Sequence, residues 1–134
     1  FYNGQGLYAI AEPWYKWCLE EVKVRLGAEH PDYATSLNNL AYLYQLQGRY
    51  NEAEPLFKQA LELYKQTLGE EHSHFATSLS CLAYLYKLQG RYNEAEPLFQ
   101  QALELYKQTL GEEHSDFASS LNNLANLYYS QERY

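Results

Sequence analysis

Four histidines are the first residues whose spacing invites a chemical reading. His30, His72 and His114 recur every 42 residues, and His74 adds a fourth ring. Imidazoles can ligate zinc or relay protons, but a structural or catalytic metal needs three or four converging ligands, commonly two of them one helical turn apart. No carboxylate and imidazole set completes such a pattern around positions 72 and 74, so these histidines read as turn residues near helix starts. Glu70-Glu71 and Glu112-Glu113 are the second candidates, because paired carboxylates can divide acid and base roles. That division requires a pocket that separates their pKa values, and these pairs fall in polar connections. Cys18 and Cys81 are the third, and they lie in different predicted elements about one and a half periods apart. That spacing argues against a disulfide or a metal site and fits a reducing compartment, so the expected location is cytoplasmic. Serine, threonine and histidine form no nucleophile motif. The expectation is a protein that is not an enzyme, with no metal and no cofactor.

The elements that carry these residues come from a repeat. Gly48-Arg-Tyr-Asn-Glu-Ala-Glu-Pro-Leu-Phe57 returns unchanged as Gly90 to Phe99, and a worn copy runs from Gly6 to Tyr15. Residues 30–71 and 72–113 agree at 35 of 42 positions, differing only at 31/73, 32/74, 33/75, 38/80, 39/81, 45/87 and 58/100. A fixed period of this length marks an array whose units bury their apolar faces on their neighbours. The domain reading is therefore one array. Residues 1–29 hold the second helix of a partial unit, 30–71 and 72–113 are full repeats, and 114–134 hold the first helix of a truncated unit. With no methionine in its 134 residues, the chain reads as a fragment of a longer array. No signal stretch precedes the first repeat-like residues and no window approaches a membrane span. A net charge of −7, with no basic stripe, speaks against nucleic acid.

Periodicity predicts six helices, ordered second, first, second, first, second, first. The first spans 8–26, with residues 1–6 aligning to a frayed end of a preceding helix. The next spans 31–47, with Tyr33, Leu37, Leu40, Ala41 and Tyr44 at three- and four-residue steps. Gly48 supplies its positive-φ stop. Asn51 and Glu54 are expected to cap the following helix, with Pro55 in its first turn. That helix carries the stripe Ala53, Phe57, Ala60, Tyr64 and Leu68. A further pair occupies 73–110 and a last helix 115–130, with Arg133-Tyr134 inside the next turn. Trp17 stands where the other units have glutamine, either as a cover for the open end or as a contact with another chain or with a missing preceding repeat.

The pattern Leu40-Ala41-x-x-Tyr44, Gly48, Tyr50, Ala53, Phe57, Ala60 resembles a tetratricopeptide repeat. Its 42-residue period, with Leu37-Asn-Asn-Leu-Ala41 and His30-Pro-Asp32, is similar to the kinesin-light-chain type, and the near identity of the units to bacterial arrays. The resemblance covers essentially the whole chain and implies an all-α right-handed solenoid of antiparallel helix pairs, a superhelix acting in protein–protein interaction. It also implies that the first helices line a concave surface that receives a peptide.

On a helical wheel, Thr35, Asn38, Asn39, Tyr42, Gln45 and Leu46 gather away from the packing stripe. The matching positions are Thr77, Ser80, Cys81, Tyr84 and Lys87, then Asn122, Asn123, Asn126 and Tyr129. Three of the seven differences between the full repeats fall on this face. Asparagines both donate to and accept from a peptide backbone, and tyrosines offer rigid apolar area with a polar tip. Lys87 is the only cation on the face, so a clamp for a C-terminal carboxylate is incomplete, and acidic repeats favour a neutral or basic peptide. The alternative expectation is a structural array that self-associates head to tail through uncapped terminal helices.

Overall fold

The computed structural model describes residues 4–132. They form α1 (Gly4–Leu26), α2 (Pro31–Leu46), α3 (Tyr50–Thr67), α4 (Ser73–Leu88), α5 (Tyr92–Thr109) and α6 (Ser115–Glu132), with no strand among them. The order of second and first helices follows the repeat. The expectations for residues 1–3 and for Arg133-Tyr134 lie outside the described residues.

The helix starts differ from the sequence expectation in an informative way. His30 is the N-cap of α2, and its Nδ1 accepts the Asp32 N–H at 3.0 Å. His72 does the same for the His74 N–H at 3.0 Å, and His114 for the Asp116 N–H at 3.1 Å. The recurring imidazole thus does the work usually given to Ser, Asp or Asn, satisfying a backbone donor that the helix leaves unpaired. Asn51 is not a cap: α3 begins at Tyr50, and the equivalent α5 starts after Arg91, which makes no side-chain cap bond. Arg91 instead folds forward onto Glu94, with Nε to Oε1 at 2.9 Å. Pro55 consequently sits in the second turn of α3, where its missing N–H removes one helical bond to the Asn51 carbonyl.

The stop after α2 is a Schellman motif. Gly48 N–H donates to the Gln45 carbonyl at 3.0 Å and Arg49 N–H to the Tyr44 carbonyl at 2.8 Å. Gly48 has φ +77° and Gly90, ending α4 the same way, +76°. A side chain at Gly48 would meet nothing within 4 Å, so glycine is held there by backbone conformation and not by space. Gly6, in the same register, takes no positive φ, and α1 runs through it from Gly4. From Gly4 onward, the expected frayed end is part of one continuous helix.

The chain divides into two compact units, the first ending at Thr67 and the second beginning at Leu68. In the first, α2 lies against both α1 and α3. Leu37, Leu40, Ala41 and Tyr44 of α2 are buried, as are Ala53, Phe57, Ala60 and Tyr64 of α3. The alanines let the helix axes approach and Phe57 fills the space they leave. Thr35 and Tyr64 tie the pair together through their hydroxyls. In the second unit α5 lies against both α4 and α6. Phe99, Ala95 and Ala102 repeat the core, and Thr77 and Tyr106 repeat the hydroxyl bond. One stripe changes state. Leu121 of α6 is 49% exposed, whereas its counterparts Leu37 and Leu79 are 1% and 2% exposed.

Candidate functional site

The predicted face can now be followed side chain by side chain. In the first unit Asn39, Tyr42 and Leu46 stand open on α2. They share a groove of about 200 Å³ with Leu7, Tyr8, Ala11 and Tyr15 of α1, floored by Leu43. None of these four α1 residues belongs to the predicted set, which follows the first-helix face alone. Leu7 is the one that carried a signal, since it stands where the inner units have Arg49 and Arg91.

Other members of the set are drawn into the packing. Gln45 is buried, at 6% exposure, one turn beyond Ala41 at the edge of the arc. Asn38 is half-buried, and its Oδ1 is enclosed without a hydrogen-bond partner. Thr35 is exposed, yet its hydroxyl reaches the Pro31 carbonyl at 3.4 Å as well as Tyr64. Thr77 repeats this with the Ser73 carbonyl at 3.1 Å and with Tyr106.

In the second unit Tyr84 is open, and Lys87 places its ammonium 5.7 Å from the Tyr84 ring centroid, within cation–π range. Ser80 is half-buried. Cys81, also half-buried, has its thiol pushed up to about 11 by burial, which keeps it protonated and unreactive. Asn122, Asn126 and Tyr129 of α6 are exposed, and Asn123 is half-buried. No group of three or more His, Cys, Asp or Glu gathers to hold a metal among the described residues, and Cys18 and Cys81 are free thiols.

The wall between α1 and α2 is braced by Glu12. Its carboxylate binds Lys16 Nζ at 2.9 Å and Arg49 Nη1 at 2.8 Å, and accepts the Tyr44 hydroxyl at 3.3 Å. The hydrogen bond from Lys16, then that from Arg49, holds this carboxyl below its ordinary range. Arg49 also lies over the Tyr44 ring, 4.2 Å from its centroid. In the second unit Glu96 takes the same position and accepts the Tyr128 hydroxyl at 2.8 Å. A second helix is thus latched to the following first helix by a repeated carboxylate–phenol contact, and the groove lies beside that latch.

Antiparallel helix pairs of 42-residue period, joined by a glycine stop and a histidine cap, define a helical repeat protein. The profile of the tetratricopeptide repeat family matches residues 1–66 and 74–134, and the chain belongs to that family. It is similar to the crystal structure of BtubC (BKLC) from P. vanneervenii, with 31% identity over 95% of this chain and 50% of that one, at a TM-score of 0.83. It is also similar to the nearly identical TPR-like repeats of a kinesin light chain-like protein from Podosopora anserina. There the identity is 29% over 96% of this chain and 61% of that one, at a TM-score of 0.84. The chain therefore spans only about half to three-fifths of these proteins' crystallised chains. No curated protein matches the sequence. The fold is the all-α tetratricopeptide solenoid, a scaffold class generally without catalytic activity whose members mediate protein–protein interaction. No described helix is long and apolar enough to cross a membrane.

Proposed function

We propose that the chain binds a peptide segment on the open face of its first helices, with Asn39 and Tyr42 as contacts within the first unit and Tyr84 as the corresponding contact within the second, taken by itself. The observation that carries this is the groove of about 200 Å³ between α1 and α2, apolar along its length and rimmed by an amide and tyrosine hydroxyls. Its volume suits one bulky apolar side chain. Asn39 at the rim would pair with the peptide backbone on either side of that anchor. The net charge of −7 favours a neutral or basic peptide. Free thiols at Cys18 and Cys81 suit a cytoplasmic setting. The test is a peptide array followed by fluorescence anisotropy with Asn39→Ala and Tyr42→Ala. Each variant should weaken binding by at least tenfold while leaving helicity unchanged. Unaltered affinity in both would remove the groove from consideration.

A second reading is end-to-end stacking of copies through the terminal helices. It is favoured by the exposed Leu121 and Tyr128 on α6, whose counterparts Leu37 and Tyr44 are core residues of α2. Such contacts are heterologous and do not close, so mass would rise with concentration without a plateau.

A further inference from the structure

An open apolar surface runs along α1 and shares only Leu7 with the peptide groove. Ile10, Trp14, Trp17 and Val24 are 66%, 61%, 54% and 71% exposed. With Leu7 and Glu21 they fall at alternating steps of three and four, the a and d spacing of a helix seam. Trp14 and Trp17 stack on each other at 5.2 Å, so the two indoles form one plate in the middle of the seam.

Stacking of repeats does not account for the exposure of Ile10, Trp17 and Val24. On α5, which has α4 and α6 packed against it, the positions matching Ile10, Trp17 and Val24 are Glu94, Gln101 and Gln108, and all three face solvent. A flanking repeat therefore leaves these positions wet, and only α1 makes them apolar. The largest apolar patch of a monomer is often functional, and Ile10, Trp14, Trp17 and Val24 are each more than half exposed.

We propose that a second copy of this chain covers the seam, α1 against α1 in antiparallel order about a two-fold axis beside the tryptophan plate. In that order the seam is complementary to itself. Trp14 meets the Trp17 position of the other copy, Leu7 meets Val24, and Ile10 meets Glu21. No like charges are set opposite each other. Parallel pairing would instead stack Glu21 on its own copy, with each carboxylate already held only by an exposed Arg25 at 3.6 Å. Two such patches together approach the ~1,200–2,000 Å² of a specific interface. The contact is isologous, so it stops at two copies; Leu7 belongs to both the seam and the α1–α2 groove, whose other lining residues lie outside the seam.

Sedimentation velocity over roughly 1–100 µM tests it, the range of modest self-association. The chain should move from monomer to dimer and plateau there. Trp17→Gln, which restores the residue of the inner units, should weaken the dimer at least tenfold with unchanged circular dichroism. Ile10→Lys should keep the dimer by meeting Glu21 of the other copy, whereas Val24→Lys, facing Leu7, should lose it. A monomer throughout, or a dimer indifferent to Trp17→Gln, overturns the proposal. Mass rising past two copies would assign association to end stacking instead. Loss of the dimer in Ile10→Lys would overturn the antiparallel order.

Discussion

Glu12 shows how one carboxylate ties a repeat to its neighbour and makes stability depend on pH. Lys16 and Arg49 both contact it, and the pair holds its pKa below the ordinary value of 4.5. A carboxyl with a lowered folded-state pKa adds stability that is complete above its unfolded value. That stability is lost as pH falls through the folded value. Glu12→Gln keeps the shape and removes the charge. The variant should therefore melt below the parent at pH 7, and the gap should close as the pH drops below 4.5 and through the depressed value. Thermal melts of both proteins between pH 7 and pH 3 measure this. A gap that stayed constant with pH would mean that the ion pairs contribute nothing. The sequence made only part of the candidate face legible as open surface, since Gln45 is buried and Asn38, Ser80, Cys81, Lys87 and Asn123 are half-buried. Asn39, Tyr42 and Tyr84 are open as the wheel places them, because their arc is centred away from Leu37 and Ala41. Gln45 was lost because a wheel has no neighbours: an edge position is exposed or buried according to which helix lies beside it. The α1 half of the groove could not be read from the first helices at all.

Helix ends decide where each element begins, and the histidine caps are the clearest case. At three junctions an Nδ1 lone pair accepts the backbone N–H two residues on, which requires a neutral imidazole with its proton on Nε2. His72→Ala should destabilise the chain by about 1 kcal/mol, the usual cost of losing an N-cap acceptor, and His72→Asn should recover most of it. Chemical denaturation of the three proteins at pH 8 is the measurement. Equal stability of His72→Ala and the parent would show that the bond is incidental. From sequence, the 42-residue recurrence put these histidines beside helix starts, but Asn51-Glu-Ala-Glu54 offered a more familiar cap and was preferred at its own junction. The structure begins α3 at Tyr50 because the Schellman turn after Gly48 closes in two residues and leaves no room for Asn51 outside the helix. Glycine stops were legible because positive φ has one cheap solution. A histidine cap was harder to see because imidazole is seldom chosen for that work.

At the scale of the whole chain, each of the two units has its own core. Helix contacts concentrate in α2 with α3, α4 with α5, α1 with α2 and α5 with α6, within a first unit ending at Thr67 and a second beginning at Leu68. In arrays of this kind stability is close to a sum of unit and neighbour terms, so damage need not spread evenly. Phe57 and Phe99 occupy the same register, are 1% and 0% exposed, and each fills the gap beside two alanines. Truncation to alanine should cost about 3–5 kcal/mol at either site, a large share of the ~5–15 kcal/mol that a domain has in total. The distribution of that loss is the informative quantity. Phe57→Ala should strip amide protection from α2 and α3 first and leave α5 protected longer, and Phe99→Ala should do the reverse. Hydrogen exchange read by mass spectrometry can separate the near-identical repeats, because peptides covering Asn38 or Ser80 differ in mass, and those covering Lys58 or Gln100, nominally isobaric, differ in charge and chromatographic retention. If both variants lost protection equally in every helix, the chain would unfold as one cooperative body. Repeat identity would then describe its history and not its energetics. Unequal loss would mean that a partner gripping the α1–α2 groove stabilises chiefly the unit it touches. In that case ligand-induced protection in α1 to α3, with little in α5, would also report where the peptide sits.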